Sequence, residues 1–150
     1  MAQSLANVLV HLVFSTKERR PFIKDDVRGK LHAYVIGIFA NHDSPSIETN
    51  SVEDHIHILF KLSKNWALAK VIEQVKSASS GWLKEQGAWY SDFYWQRGYG
   101  AFSVSETHVD PLRAYIRGQA EHHKKVSFQD EFRDLCRKNN APLDERYVWD

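Results

Sequence analysis

Ten consecutive positions, Leu5–Phe14 (LANVLVHLVF), are almost all apolar and rich in valine. A strand that faces solvent on one side alternates apolar with polar residues, so an unbroken apolar run belongs to a strand buried on both faces. The segment must therefore be the central spine of a sheet, and both faces of that sheet need cover. His11 falls on the face shared by Leu9 and Val13, where a buried, hydrogen-bonded histidine is the expected state.

A second apolar stretch, Glu53–Phe60 (EDHIHILF), alternates instead. Successive strand side chains point to opposite faces, so His55 and His57 leave one face together while Ile56, Ile58 and Phe60 leave the other. A one-residue slip would bury both rings, which fixes the register. Two neutral imidazoles on one rigid strand form a ready bidentate site for a divalent metal. In a third segment, Ala114–His123 (AYIRGQAEHH), helical geometry puts Tyr115, Gln119 and His122 at i, i+4 and i+7, so a phenol, an amide oxygen and an imidazole share one face.

The remaining elements follow from periodicity and caps. From Asp25 or Asp26 as N-cap, Val27, Leu31, Tyr34, Val35 and Ile38 recur at helical spacing toward Phe39. Ser46–Ser51 reads as a strand paired with Glu53–Leu62 across a turn at Asn50–Ser51. Leu68, Val71, Ile72, Val75, Ser79, Trp82 and Leu83 form the apolar stripe of a second helix, closed at Gly87. Phe93–Ser105 is a kinked strand region broken by Gly98 and Gly100. Asp110-Pro111 opens the tyrosine helix, with Thr107 as an earlier alternative cap. Ser127 with Asp130 is a capping box for a last helix to Asn139, with Phe128, Phe132, Leu135 and Cys136 inward. Asn140–Asp150 is a tail without periodicity.

The order β-α-β-β-α-β followed by two helices predicts an α+β, ferredoxin-like (split β-α-β) antiparallel sheet. Two helices would cover one face. The tyrosine-bearing helix would cover the other, bringing Tyr115 to His55 and His57. One domain is expected over residues 1–150, with the ferredoxin-like core at about 1–105 and the nucleophile and C-terminal helices at about 107–140.

At 150 residues, 43% hydrophobic and 13% aromatic, the chain has the composition of a folded protein. No apolar stretch reaches the length of a membrane span, which predicts a protein of the cytoplasm. The single cysteine, Cys136, excludes an intrachain disulfide and a Cys-based zinc site. A net charge of +1 lacks the global excess of many nucleic-acid binders, but Lys17, Arg19 and Arg20 in one loop, and Lys76 beside serines on the second helix, are candidate phosphate contacts.

Four ordered blocks carry a family resemblance: VHLVFSTKERRPF, DHIHILF, WQRGYGAFSVS, and YIRGQAEHH with the FQDEF that follows. Together they resemble the single-tyrosine HUH (His-hydrophobe-His) transposases of the insertion-sequence-two-hundred (IS200-like) class. The resemblance implies that His55 and His57 hold a Mg²⁺ or Mn²⁺ ion with Gln119 as third ligand, and that Tyr115 is the nucleophile. Imidazole is a commoner ligand than an amide, so His122 is the alternative third ligand. It further implies a single-stranded DNA substrate with hairpins, cleavage and rejoining through a 5′-phosphotyrosine, and a homodimer whose tyrosine helix can serve the partner's histidines. Such activity belongs with bacterial or archaeal DNA. Two other readings compete: a non-catalytic ferredoxin-like nucleic-acid-binding module with Tyr94, Trp95 and Tyr99 stacking on bases, and a domesticated relative acting on repeated palindromes. Tyr99 is the rival nucleophile.

Overall fold

The computed structural model describes residues 2–150. Strand β1 (Val8–Ser15) lies between β3 (His55–Leu62) and β4 (Gly100–Val104), and β2 (Ser46–Ser51) completes an antiparallel sheet of order β2-β3-β1-β4. This is the ferredoxin-like order expected from the sequence. Beyond its first residue β1 is buried throughout, as its unbroken apolar run requires.

Helices α1 (Asp25–Asn41) and α2 (Leu68–Lys84) cover one face. Their stripes, Val27, Leu31, Val35 and Ile38 with Val71, Ile72, Val75 and Leu83, close the main core over Val10, Leu12, Phe14, Ile56, Ile58 and Phe60. The other face is covered in two parts. Leu112 and Ile116 of α3 (Val109–Arg117) pack on Leu9 and Leu59, and Phe128, Phe132 and Cys136 of α5 (Phe128–Lys138) pack on Val13 and Phe102. Between these patches the sheet presents its histidines. Among the described residues no helix is long and apolar enough to cross a membrane.

Several boundaries differ from the sequence reading. The β2–β3 turn lies at residues 52–54, because the Glu53 carbonyl accepts Ile23 N–H and the Asp54 carbonyl accepts Thr16 N–H, which takes both out of the ladder. Lys24, not an aspartate, precedes α1, and Asp25 and Asp26 act in its first turn, where carboxylates suit the helix dipole. The tyrosine helix starts at Val109 after a 3₁₀ turn over Glu106–His108, so neither Thr107 nor Asp110 caps it. It also stops at Arg117; Gly118 interrupts it before the short α4 (Gln119–His122). Glycine inside a helix costs about 1 kcal/mol relative to alanine, which makes this the weakest point of the segment. Ser127 does cap α5, accepting Asp130 N–H at 3.2 Å. The C-terminal tail is tied down: Trp149 packs on Phe128 and Phe132, and Asp150 O accepts Arg97 N–H at 2.7 Å.

Candidate active site

The β1–β3 register sets His57 opposite Val13 and His55 opposite Ser15. Both imidazoles are fully buried on the face away from α1 and α2. Each is oriented from behind. His55 Nδ1 lies 2.6 Å from Asp54 Oδ1, so the carboxylate fixes the ring's orientation and turns Nε2 into the site. His57 Nδ1 lies 2.8 Å from His11 Nε2. Burial, then the neighbouring His57, pulls the His11 pKa down to about 3, and burial lowers that of His57, so the pair is neutral and shares one proton. His11 is thus the buried, hydrogen-bonded histidine expected, and its partner is a site residue.

At the centre stands Glu131 of α5, only 3% exposed. Its Oε1 lies 2.9 Å from His57 Nε2, 3.5 Å from His55 Nε2 and 3.0 Å from His123 Nε2. Its Oε2 accepts a short hydrogen bond from the Tyr115 hydroxyl and another from Gln119 Nε2 at 3.1 Å. Gln119 Oε1 sits 3.1 Å from His55 Nε2. His122 Nε2 is 3.4 Å from Glu131 Oε2 without the alignment of a hydrogen bond. Burial alone would raise the Glu131 pKa, but the contacts with His123, His57 and Tyr115 outweigh it and hold the carboxyl well below the usual carboxylate range. For Tyr115, burial and then the Glu131 carboxylate push the phenol well above its ordinary value, so it rests protonated.

The structure therefore brings His55, His57, Tyr115, Gln119 and His122 together within one chain, despite the break at Gly118. Sequence reasoning missed two members, His123 and Glu131. A signal for Glu131 existed: it lies three residues after Phe128 and four before Leu135, an acid on the apolar stripe of an amphipathic helix. A cleft of about 870 Å³, lined in part by His11, His108, Tyr115, His122, Glu131 and Arg137, leads from the tyrosine outward.

Of the basic residues, Lys17, Arg19 and Arg20 follow directly on Ser15 and Thr16, at the end of β1 that pairs with His55. Arg19 lies 5.7 Å over the Trp149 ring, and Arg20 is 3.5 Å from Asp92. Lys76 points elsewhere: its Nζ donates to the carbonyls of Gln96, Arg97 and Gly98 at 2.6, 3.0 and 2.8 Å, and burial brings its pKa down to about 8. Tyr99 lies against Lys76, Trp95 is buried, and Tyr94 is 54% exposed.

A search of curated proteins found no significant match. Among solved structures, the fold is similar to that of a candidate transposase from Deinococcus radiodurans R1, with TM-score 0.60 at 20% identity, covering 79% of this chain and 98% of that one. It is also similar to a REP-associated tyrosine transposase bound to a REP hairpin, with TM-score 0.62 at 11% identity, covering 84% of this chain and 76% of that one. The family model described as "Transposase IS200 like" matches residues 4–119. The chain belongs to the IS200-like transposase family.

Proposed function

We propose that this chain is a metal-dependent single-stranded DNA endonuclease and strand-joining transposase, with Tyr115 as its nucleophile. The observation that carries the reading is the convergence of the Tyr115 hydroxyl and the His55 and His57 imidazoles on one buried carboxylate. The donor set suits a divalent cation. His55, its ring braced by Asp54, turns Nε2 toward Gln119 Oε1 at 3.1 Å and Glu131 Oε1 at 3.5 Å, so an imidazole, an amide oxygen and a carboxylate oxygen converge. His55, His57 and Gln119 would hold Mg²⁺ or Mn²⁺, which when bound supplies Lewis-acid polarisation of the scissile phosphate.

The chain's own groups account for the rest. Glu131 Oε2 holds the Tyr115 hydroxyl in one orientation, facing the cleft. As the tyrosine oxygen bonds to phosphorus the phenol acidifies, and its proton passes along the existing hydrogen bond to Oε2. The 3′-oxygen of the upstream nucleotide leaves and takes a proton from water to become a free 3′-hydroxyl, and the 5′-phosphate stays on Tyr115. The phosphodiester energy is conserved in that bond, so a DNA 3′-hydroxyl can reverse the step and rejoin a strand. The Lys17–Arg20 loop would meet phosphates arriving at the His55 end of the sheet. DNA hairpins are the proposed recognition feature. A homodimer, implied by the resemblance, would set two such sites side by side. The domain proposed for this activity runs over residues 1–150.

The test is incubation of the protein with labelled hairpin-bearing single-stranded DNA and Mn²⁺. Cleavage with a covalent protein–DNA band, both lost in Tyr115→Phe and on chelation, is expected. Unchanged hairpin binding by wild type with no cleavage under any divalent ion would favour the binding-module reading, in which exposed Tyr94 stacks on bases.

A further inference from the structure

Six side chains reach into the space around Glu131, and their donors are unequal. Two imidazoles, from His55 and His57, stand on the strand, and Gln119 offers a neutral amide oxygen. Tyr115 and two helix-end rings complete the six; of those two rings, His122 is 33% exposed and 3.4 Å from Glu131 Oε2, and His123 is the more buried. Its side chain is 10% exposed, and its Nε2 is buried without a hydrogen-bond partner although it lies 3.0 Å from Glu131 Oε1. A buried ring nitrogen beside a carboxylate oxygen, but off the line of a hydrogen bond, is the geometry of two ligands side by side on one ion.

The distances agree. Ligand atoms at about 2.1 Å from a metal stand roughly 3.0 Å apart at octahedral right angles and roughly 3.4 Å apart in a tetrahedron. Glu131 Oε1 lies 2.9, 3.0 and 3.5 Å from the Nε2 atoms of His57, His123 and His55, and one ligand atom from each of these four residues lies within 4.8 Å of all the others. Gln119 touches the cluster with both ends of its amide: Oε1 lies 3.1 Å from His55 Nε2, and the nitrogen donates to Glu131 Oε2 at 3.1 Å.

We infer that His123 and Glu131 are ligands of the ion, and that the resulting set of three imidazoles and one carboxylate makes this a transition-metal site of Mn²⁺ type in preference to a magnesium site. The inference rests on the proposed metal-dependent function and deepens it. Imidazole nitrogen suits first-row transition ions, whereas Mg²⁺ takes oxygen ligands and keeps its water. Gln119 keeps its oxygen on the ion's side of the cluster while its nitrogen braces Glu131 from the carboxylate's second oxygen. Because that same oxygen accepts the Tyr115 hydroxyl, a single carboxylate ties the nucleophile to the ion.

Electron spin echo measurement on the unmodified, Mn²⁺-loaded protein counts coupled imidazole nitrogens without any substitution. Three rings are expected. Two would overturn the inference while leaving His55 and His57 in place, and none would overturn the metal reading itself. Calorimetric titration with MnCl₂ and MgCl₂ is the second arm, on wild type, His123→Ala, Glu131→Gln and His55→Ala, each checked for folding by circular dichroism. Mn²⁺ affinity should fall at least about tenfold in each variant, and Mg²⁺ should bind wild type at least about tenfold more weakly than Mn²⁺. Wild-type Mn²⁺ affinity in folded His123→Ala and Glu131→Gln, with loss only in His55→Ala, would overturn it, as would equal affinity for the two ions.

Discussion

Gly100→Ala tests the link between sheet packing and site geometry. Gly100 pairs with Val13 at the edge of the sheet, and Val13 in turn pairs with His57. A methyl group there would stand 2.8 Å from Phe132 Cε2 and 3.0 Å from Phe102 Cε2 and Cζ. Carbon atoms pack at about 3.5–4.0 Å, so the rings must retreat by at least about 0.7 Å. Both rings are packed in one buried cluster with Val13, Phe128 and Cys136, so a retreat disturbs that cluster. Overpacking of this kind costs about 1–3 kcal/mol. For a chain of this length that lowers Tm by roughly 2–12 °C. Phe132 is the neighbour of Glu131 on α5, so a retreating ring also carries the carboxylate away from His57, and a misplacement near 1 Å costs about 10²-fold in rate. The assay is thermal melting with single-turnover DNA cleavage, and Gly37→Ala is the control. Gly37 lies inside α1 with nothing within 4 Å of an added methyl, so that change should stabilise by about 0.5–1 kcal/mol and leave cleavage intact. If Gly100→Ala keeps wild-type Tm and rate, the coupling from β4 through Phe132 to Glu131 is refuted.

Three further outcomes follow from named contacts. Because the fold holds His11 neutral down to about pH 3, while an unfolded histidine protonates near 6.5, its contribution to stability is full above pH 6.5 and is lost as the pH falls toward 3. Metal-free protein should weaken over that window in urea titrations, and His11→Gln should flatten the slope; an identical slope in the variant would contradict the assignment. Since Tyr115 meets His57 and Glu131 of its own chain, mixing Tyr115→Phe with His57→Ala should restore no cleavage, and recovery would show exchange of the tyrosine helix between copies. Replacing Lys17, Arg19 and Arg20 together with alanine should weaken single-stranded DNA binding and lower the salt slope by roughly 2, measured by fluorescence anisotropy, and an unchanged slope would remove the loop from the phosphate path.

Much of this architecture is legible before any coordinates. The apolar run of β1, the alternation of β3 and the three-four spacing of α1 and α2 each have a physical period, and together they place His55 and His57 on the face that α3 must cover. Boundaries were less legible where tertiary hydrogen bonds decide them, as at residues 52–54 and at the 3₁₀ turn before α3. Helical spacing put Tyr115, Gln119 and His122 together, and Gly118 breaks the helix without dispersing them, because each still meets Glu131. Glu131 is harder to read from the sequence, because His55 and His57 lie on a strand far away in the chain and its nearer partners sit on separate helical segments beyond a loop. The tail shows no periodicity, and its anchoring comes from outside it: Trp149 finds its partners on α5, which no local pattern announces.

The central claim is that Tyr115 forms a covalent bond to DNA. Its most direct measurement is peptide mass spectrometry of the trapped protein–DNA complex after nuclease trimming and proteolysis. A nucleotide remnant on the peptide containing Tyr115, absent from Tyr115→Phe, is the predicted result. A remnant on another residue, Tyr99 first among them, or a covalent complex that persists in Tyr115→Phe, would contradict the account.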